Sequence, residues 1–75
     1  MSSVLPTIYA DFNNADKPGR VRLNTTGTQQ DLTRLQLTLT EGLQIRLSDD
    51  ELSTIGHVQY DSVEGWVAVI DWSRL

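Results

Sequence analysis

The stretch that decides the fold is Ile55–Trp72, IGHVQYDSVEGWVAVIDW. Val58 and Tyr60 alternate with polar residues, a polar loop follows at 61–65, and a second apolar arm begins at Trp66. Alternation with a period of two on both sides of such a loop predicts a β-hairpin.

The second arm of this hairpin is the most apolar strand of the chain. Val67 and Val69 fall on one of its faces by the alternation. The opposite face carries Trp66, Ala68, Ile70 and Trp72. A strand with two apolar faces is typical of the centre of a sheet. One face then lines the core, and we expect a helix, a neighbouring segment or a partner to cover the other.

Size and charge limit what the chain can be. Its 75 residues predict a single domain that buries about 60% of its unfolded surface, which makes its stability marginal. No cysteine is present to form a disulfide or a thiolate metal site. We therefore expect a partner or a second copy to add to the stability of the fold. A net charge of −4 opposes non-specific binding to nucleic acid, which requires a basic surface.

The ends of the chain predict its organisation and location. Residues 1–6, MSSVLP, have neither a basic leader region nor a long apolar run, and no stretch is long enough to span a membrane. We therefore expect a flexible tail at 1–6, a single domain at 7–75, a cytoplasmic location and no contact with membranes.

Three more segments alternate in the manner of strands. They are 7–12, 20–24 and 43–48. The first two flank a polar loop in which Pro18 fixes φ and Gly19 is free to adopt a positive φ, so we predict that they form a first hairpin. Gly56 interrupts an apolar segment, which indicates a bulge that bends its strand.

The middle of the chain predicts one short helix. Thr28 to Asp31, TQQD, has the form of a capping box, and a helix at 29–35 would place Leu32 and Leu35 against the sheet. Residues 37–39 are equally compatible with a short strand. The predicted fold class is mainly β with one short helix, arranged as a small five-stranded bent barrel of the SH3-like or OB-like kind.

The chain also resembles a family of proteins. The motifs are YADFNNAD at 9–16, GRVRLN at 19–24, GTQQDL at 27–32, EGL at 41–43 and WVAVIDW at 66–72. In this order they are similar to a group of short, uncharacterised bacterial proteins to which no function is attached. The resemblance implies a bacterial, stand-alone small domain and assigns no active-site residue.

No pattern in the sequence predicts catalysis, a metal site or a cofactor. The acidic run at 49–51 lacks the spacing and the glycine of a calcium loop, and a capping turn explains it better. His57 is the only histidine and is expected on the surface of a strand. Its closeness in sequence to Ser53 and Thr54 is poor evidence for a catalytic triad, which is assembled from separate elements.

Two sets of residues are candidates for contact with a partner. The first is a set of side chains expected to point outward from strands: Tyr9, Arg20, Arg22 and Arg46. Arginines beside an aromatic ring can stack on bases or bind phosphates, although pairing with local acids is the favoured alternative.

The second set is Trp66 and Trp72, with the doubly apolar strand that begins at the first of them. Both tryptophans are either core residues or anchors of an exposed contact surface. The favoured function is a small non-enzymatic module that binds an unknown protein partner or itself. The alternative is a small barrel that binds nucleic acid or a nucleotide.

Overall fold

The computed structural model describes residues 5–75, so most of the predicted tail at 1–6 lies outside the described residues. The described chain has five strands, one α-helix and a final 3-10 turn. They are β1 (Thr7–Tyr9), β2 (Val21–Arg22), α1 (Thr26–Leu35), β3 (Gln44–Ser48), β4 (Ser53–Asp61), β5 (Gly65–Ile70) and the turn Trp72–Arg74. The predicted fold class is confirmed: the protein is mainly β with one short helix, and its five strands form one sheet curled into a half-barrel.

The curl of the sheet arises in its longest strand. The strand order is β1-β3-β4-β5-β2. β4 pairs with β3 through residues 53–57 and with β5 through residues 56–61, both antiparallel. Each half of β4 therefore pairs with a different neighbouring strand. The sheet bends where the two halves overlap, at Gly56 and His57. The hairpin predicted from Ile55–Trp72 is confirmed, with Tyr60 opposite Trp66.

Gly56 does not form the bulge that the sequence indicated. The register runs without an inserted residue on both sides of it, from Ile45 opposite Gly56 to Gly56 opposite Ile70. The glycine is required by close packing instead. A Cβ atom at this position would lie 2.7 Å from the Ile70 side chain and 2.7 Å from the Val69 carbonyl oxygen.

The predicted first hairpin is wrong. β1 and β2 lie at opposite edges of the sheet, where β1 runs parallel to β3 and β2 runs antiparallel to β5. The chain between them crosses from one edge to the other and then turns back on itself, with a bridge from Ala15 to Val21. This turn uses Gly19 at φ +92°, as the sequence predicted.

The helix α1 closes the edge at β1. The Tyr9 amide donates to the Asp31 carboxylate at 2.8 Å, and the Thr28 hydroxyl donates to the Tyr9 carbonyl at 2.6 Å. The predicted capping box is therefore wrong, because both of its residues bind β1. Thr25 is the N-cap, and its hydroxyl accepts from the Thr28 amide at 3.2 Å. The helix begins at Thr26 rather than near residue 29 because its capping side chain lies three residues earlier than predicted.

The core fills the inside of the half-barrel. Buried apolar side chains from the strands and the crossover form it: Ile8, Ala10, Phe12, Val21, Leu23, Ile45, Leu47, Val58 and Ala68. Leu32 of the helix packs against this cluster from outside the sheet, whereas Leu35 is exposed, contrary to prediction. Leu32 is thus the one helix leucine that covers the core, and the C-terminal end of the helix is open to solvent.

Candidate interaction surface

On the second apolar face of β5, other residues of the same chain cover one of the two valines. Val67 is fully buried, although it is not part of the core cluster. Its partners across the sheet are Arg22 of β2 and Gln59 of β4, whose side chains share its face. The aliphatic stem of an arginine beside a valine shields it from water while the guanidinium stays at the surface. Val69 on the same face is only half-buried.

Ion pairs hold both arginines of the β2 region. The Arg20 guanidinium lies 2.8 Å from Asp16 and 3.0 Å from Asp61. Arg22 lies 2.6 Å from Glu64 and also donates to the Ala15 carbonyl at 3.1 Å. These contacts join the crossover to the loop between β4 and β5. Carboxylates of the same chain therefore already bind two nitrogens of Arg20 and one of Arg22, which competes with binding of a phosphate.

Asp61 joins this network to the loop between β4 and β5. It accepts hydrogen bonds from the amides of Glu64 at 2.9 Å and Val63 at 2.8 Å. These amides, followed by the Arg20 guanidinium, lower the pKa of Asp61 from 3.8 to about 2. Each of these contacts stabilises the ionised carboxylate. Protonation of Asp61 therefore weakens the contact between the crossover and the loop that joins β4 to β5.

We expect Asp61→Asn to reduce the acid sensitivity of the fold. The pKa of Asp61 is lower in the folded chain, so its charge contributes stability above pH 3.8 that is lost as pH falls toward about 2. At pH 7 the variant should melt at a lower temperature than the unchanged chain. Its melting temperature should fall less as the pH is lowered. Circular dichroism melts from pH 7 to 2 measure this. A variant whose melting temperature falls as steeply as that of the unchanged chain would contradict the prediction.

Tyr9 and Arg46 lie far from these arginines in the sheet. They belong to the adjacent strands β1 and β3, and three strands separate β1 from β2. The Tyr9 ring packs over Gly27 so closely that a Cβ atom there would lie 2.7 Å from the ring. Arg46 is exposed beside Ile55 and Arg74. The four residues proposed as one basic and aromatic surface are therefore divided between the two edges of the sheet.

Trp72 lies beyond the end of β5 and holds the C-terminal turn. Its indole N–H donates to the Gly19 carbonyl at 2.7 Å, and its ring meets the Phe12 ring edge-on with 6.3 Å between centroids. The side chain remains 41% exposed. Trp72 thus packs against the crossover, whereas Trp66 lies near the other end of β5.

Trp66 lies in an open groove of about 680 Å³. The groove is bounded by α1, by the segment that follows this helix and by Trp66 itself. Its other walls are Gln29, Leu32, Thr33, Gln36, Leu37, Thr38 and Leu39. Trp66 packs edge-on against Tyr60 with 5.0 Å between ring centroids, and Tyr60 is 54% exposed. We call this region the Trp66 groove. Its lining combines half-buried apolar surface with neutral amides and hydroxyls and carries no charged side chain.

One wall of the groove is a segment outside the helix and the sheet, residues 37–40, LTLT. Leu37 and Leu39 are half-buried against the core, whereas Thr38 and Thr40 are exposed. The short strand that the sequence left open at 37–39 is absent, since this segment pairs with no other in the described chain. Sequence reasoning missed its role because alternation predicts a strand but not whether a neighbour pairs with it.

The remaining candidates for chemistry are dispersed. Thr54 faces the core, whereas His57 is exposed on the other face of β4, so the two do not approach as a catalytic pair would. Asp49 accepts hydrogen bonds from the amides of Leu52 and Glu51, which lower its pKa and build a tight loop. Within residues 5–75 no three acidic or histidine side chains come together in a way that could hold a metal ion.

None of the helices in the described part of the chain combines the length and apolar character needed to cross a membrane. Comparisons with protein-family models, with curated proteins and with solved structures found no match for the chain. The function must therefore be argued from the geometry of its surface.

Proposed function

We propose that the protein is a small non-enzymatic module that binds a protein through the Trp66 groove. The observation that carries this proposal is the position of Trp66 beside half-buried leucines in a concave surface whose lining is uncharged. The exposed Tyr60 packs against Trp66 next to this groove. Aromatic rings in a concave, partly dry setting supply most of the binding energy in protein interfaces. Neutral amides and hydroxyls around them fit the polar rim of such an interface.

Nucleic-acid binding remains the second candidate, and the distribution of charge disfavours it. Within residues 5–75 the cations without an ion-pair partner are Lys17 and Arg46. The carboxylates without one are Asp11, Glu41, Asp49, Asp50 and Glu51. The field outside the molecule is therefore acidic and repels a polyanion.

We also propose an architecture, a source and a cellular location for this module. The curled five-stranded half-barrel supports an SH3-like architecture, in which small barrels present grooves to protein partners. The resemblance to short bacterial proteins supports a bacterial protein that acts as a stand-alone domain, and the sequence expectation of a cytoplasmic location is part of the same proposal. The same proposal assigns Trp72, Tyr9, Arg20, Arg22 and Arg46 to the support of the fold or to the margin of the interface rather than to its centre.

A photo-reactive residue in place of Thr38, which is exposed in the groove wall, tests the function. In a lysate of the source cells we expect one discrete covalent adduct with a protein. Thr33→Lys, which places an ammonium group in the groove, should reduce its yield about tenfold because binding would then desolvate a charge.

Gln30→Lys is the matched control, because it adds the same charge to an exposed position of the same helix outside the groove. This variant should leave the adduct unchanged. An adduct that is insensitive to Thr33→Lys, or no adduct at all, contradicts the proposal. Binding of single-stranded RNA that weakens steeply with salt and is lost in Arg20→Glu/Arg22→Glu would support the second candidate instead.

A further inference from the structure

Another cleft, of about 380 Å³, lies beside the part of β4 that extends beyond β5. The two strands pair as far as Gly56 and Ile70, and from Gly56 back to Ser53 the only neighbour of β4 in residues 5–75 is β3. The side chains around this open edge form the walls of the cleft: Arg46, Thr54, Ile55, Asp71 and Arg74. We call it the Arg46 cleft. It shares no residue with the Trp66 groove, and the two sites are independent.

Arg46 brings an unpaired positive charge to this cleft. Its side chain is exposed in β3 next to Ile55 of β4. Within residues 5–75 its guanidinium forms no ion pair. A guanidinium presents five N–H donors in one plane, and these fit the oxygens of carboxylates and phosphates. Unlike Arg20 and Arg22, Arg46 can therefore bind an anion without first releasing an acid of the described chain.

Arg74 supplies a second guanidinium from the final turn. Its side chain is 79% exposed, and its ion pair with Asp71 is a single contact of 3.6 Å through Nε, which leaves both terminal nitrogens free of it. The Asp71 carboxylate is also engaged by its own turn, where it accepts from the Ser73 hydroxyl at 2.6 Å and the Ser73 amide at 3.1 Å. The cleft thus holds two guanidinium groups against one carboxylate, and its lining is positive in a chain of net charge −4.

Thr54 adds a hydroxyl that has no partner in the described chain. The residue is only 7% exposed, and within residues 5–75 its hydroxyl makes no hydrogen bond. No fully enclosed polar side-chain atom of the described residues lacks a partner, so this hydroxyl must open into the cleft that Thr54 lines. A hydroxyl at the boundary of the core costs stability until water or a ligand satisfies it. Valine would fill the same core-facing position without that cost, which indicates a role for the hydroxyl in the cleft.

Three segments of the chain therefore offer donors to one ligand: β3, β4 and the final turn. A carboxylate has two oxygens in one plane, whereas a phosphate monoester has three terminal oxygens and a charge of about −1.5 to −2 at pH 7. Two guanidinium groups and a hydroxyl fit the second better. Ile55, which is 41% exposed, adds an apolar wall for the organic part of the ligand. We infer that the Arg46 cleft binds a small organic phosphate monoester, with its phosphate between Arg46 and Arg74.

The acidic surface of the chain limits this ligand to a small one. A monoester carries its whole charge on a single phosphate, which lies within the positive lining of the cleft. A nucleic acid would extend past the cleft and place further phosphates against the unpaired carboxylates elsewhere on the surface. The volume of about 380 Å³ is also at the lower end of the range for small-molecule sites.

A titration of the isotope-labelled chain with phenyl phosphate, followed by NMR through the arginine Nε–H signals, tests the inference. The signals of Arg46 and Arg74 should shift and saturate with a dissociation constant of about 1 mM. Benzoate has the same ring with a planar carboxylate and should bind about tenfold more weakly. Signals that stay unchanged up to about 20 mM phenyl phosphate, or equal binding of benzoate, overturn the inference.

Two arginine variants and a matched control show whether the cleft is the site. Arg46→Gln and Arg74→Gln should each weaken the binding of phenyl phosphate by about tenfold, because each removes a charge-assisted hydrogen bond. Arg34→Gln is the control, since Arg34 is also exposed and paired with an acid three residues away, Asp31, but lies outside the cleft. It removes the same charge and should change the dissociation constant by less than about twofold. A similar loss in all three variants would show a general attraction of anions and overturn the inference.

Thr54→Val tests the hydroxyl. Valine has nearly the same shape, so the variant should melt at or above the temperature of the unchanged chain, while phenyl phosphate binds about fivefold more weakly. Thr54→Ser keeps the hydroxyl and should bind phenyl phosphate within about twofold of the unchanged chain. Circular dichroism melts check the fold of every variant. Unchanged affinity in Thr54→Val would remove the hydroxyl from the site and contradict the inference.

Discussion

Gly56→Val should lower the free energy of unfolding by about 3 kcal/mol, a large share of the total for a domain of this size. A Cβ atom at this position would lie 2.7 Å from Ile70 Cγ2 and 2.7 Å from the Val69 carbonyl oxygen. The first contact can relax by rotation of a side chain. The second cannot, because the oxygen belongs to the main chain of β5, so the two central strands must move apart. Urea denaturation followed by tryptophan fluorescence measures the loss.

The control for Gly56→Val is His57→Val, one residue along on the exposed face of the same strand. This substitution places the same side chain opposite Val69 on the face of the strand that is open to solvent, and should change stability by no more than about 0.5 kcal/mol. Glycine weakens a strand interior, so a purely local account would have Gly56→Val stabilise the protein. A variant as stable as the unchanged chain would show that strand preference, rather than close packing, governs this position.

The sequence predicts the centre of this fold much better than its edges. The hairpin of β4 and β5 follows from alternation alone, because two adjacent segments with one short loop have a single plausible pairing. β3 follows for the same reason, since Ile45 and Leu47 alternate with polar residues over its whole length. Local pattern and tertiary structure agree in these strands.

The edges could not be predicted because they depend on contacts between distant parts of the chain. β1 and β2 were assigned to one hairpin, although β1 pairs in parallel with a strand that follows it by about 40 residues. Nothing in residues 7–12 specifies a parallel neighbour. In the same way, TQQD satisfies the capping-box pattern, and only the position of β1 shows that Thr28 and Asp31 bind Tyr9 instead.

The candidate site was predicted in part, through Trp66. A strand with two apolar faces indicated surplus apolar surface, and on the second face Val67 is covered beside Arg22 while Val69 stays half-buried. Trp66 lies on the face that lines the core, and the groove forms beside it. The groove itself could not be predicted from the sequence, because it depends on where α1 ends relative to β5. Trp72 shares the alternation of Trp66 but leaves the strand at Asp71, whose carboxylate caps the final turn.

Thr28→Val should lower the free energy of unfolding by about 2 kcal/mol, although the two side chains have nearly the same shape. Thr28 is fully buried, donates to the Tyr9 carbonyl at 2.6 Å and lies 2.7 Å from the Thr25 hydroxyl. Valine leaves both oxygens without this partner in a partly buried setting. Between β1 and the helix, the hydrogen bond from the Tyr9 amide to Asp31 then remains, together with the packing of the Tyr9 ring over Gly27.

Thr28→Ser separates the hydrogen bond from packing, because serine keeps the hydroxyl and removes one methyl group, a loss of about 1 kcal/mol. If the hydroxyl is what holds the helix to β1, the serine variant is more stable than the valine variant in urea denaturation. The reverse order would mean that packing around the methyl group holds the helix in place. The Trp66 groove would then depend on the fit of Thr28 in the core, since the same helix forms its wall.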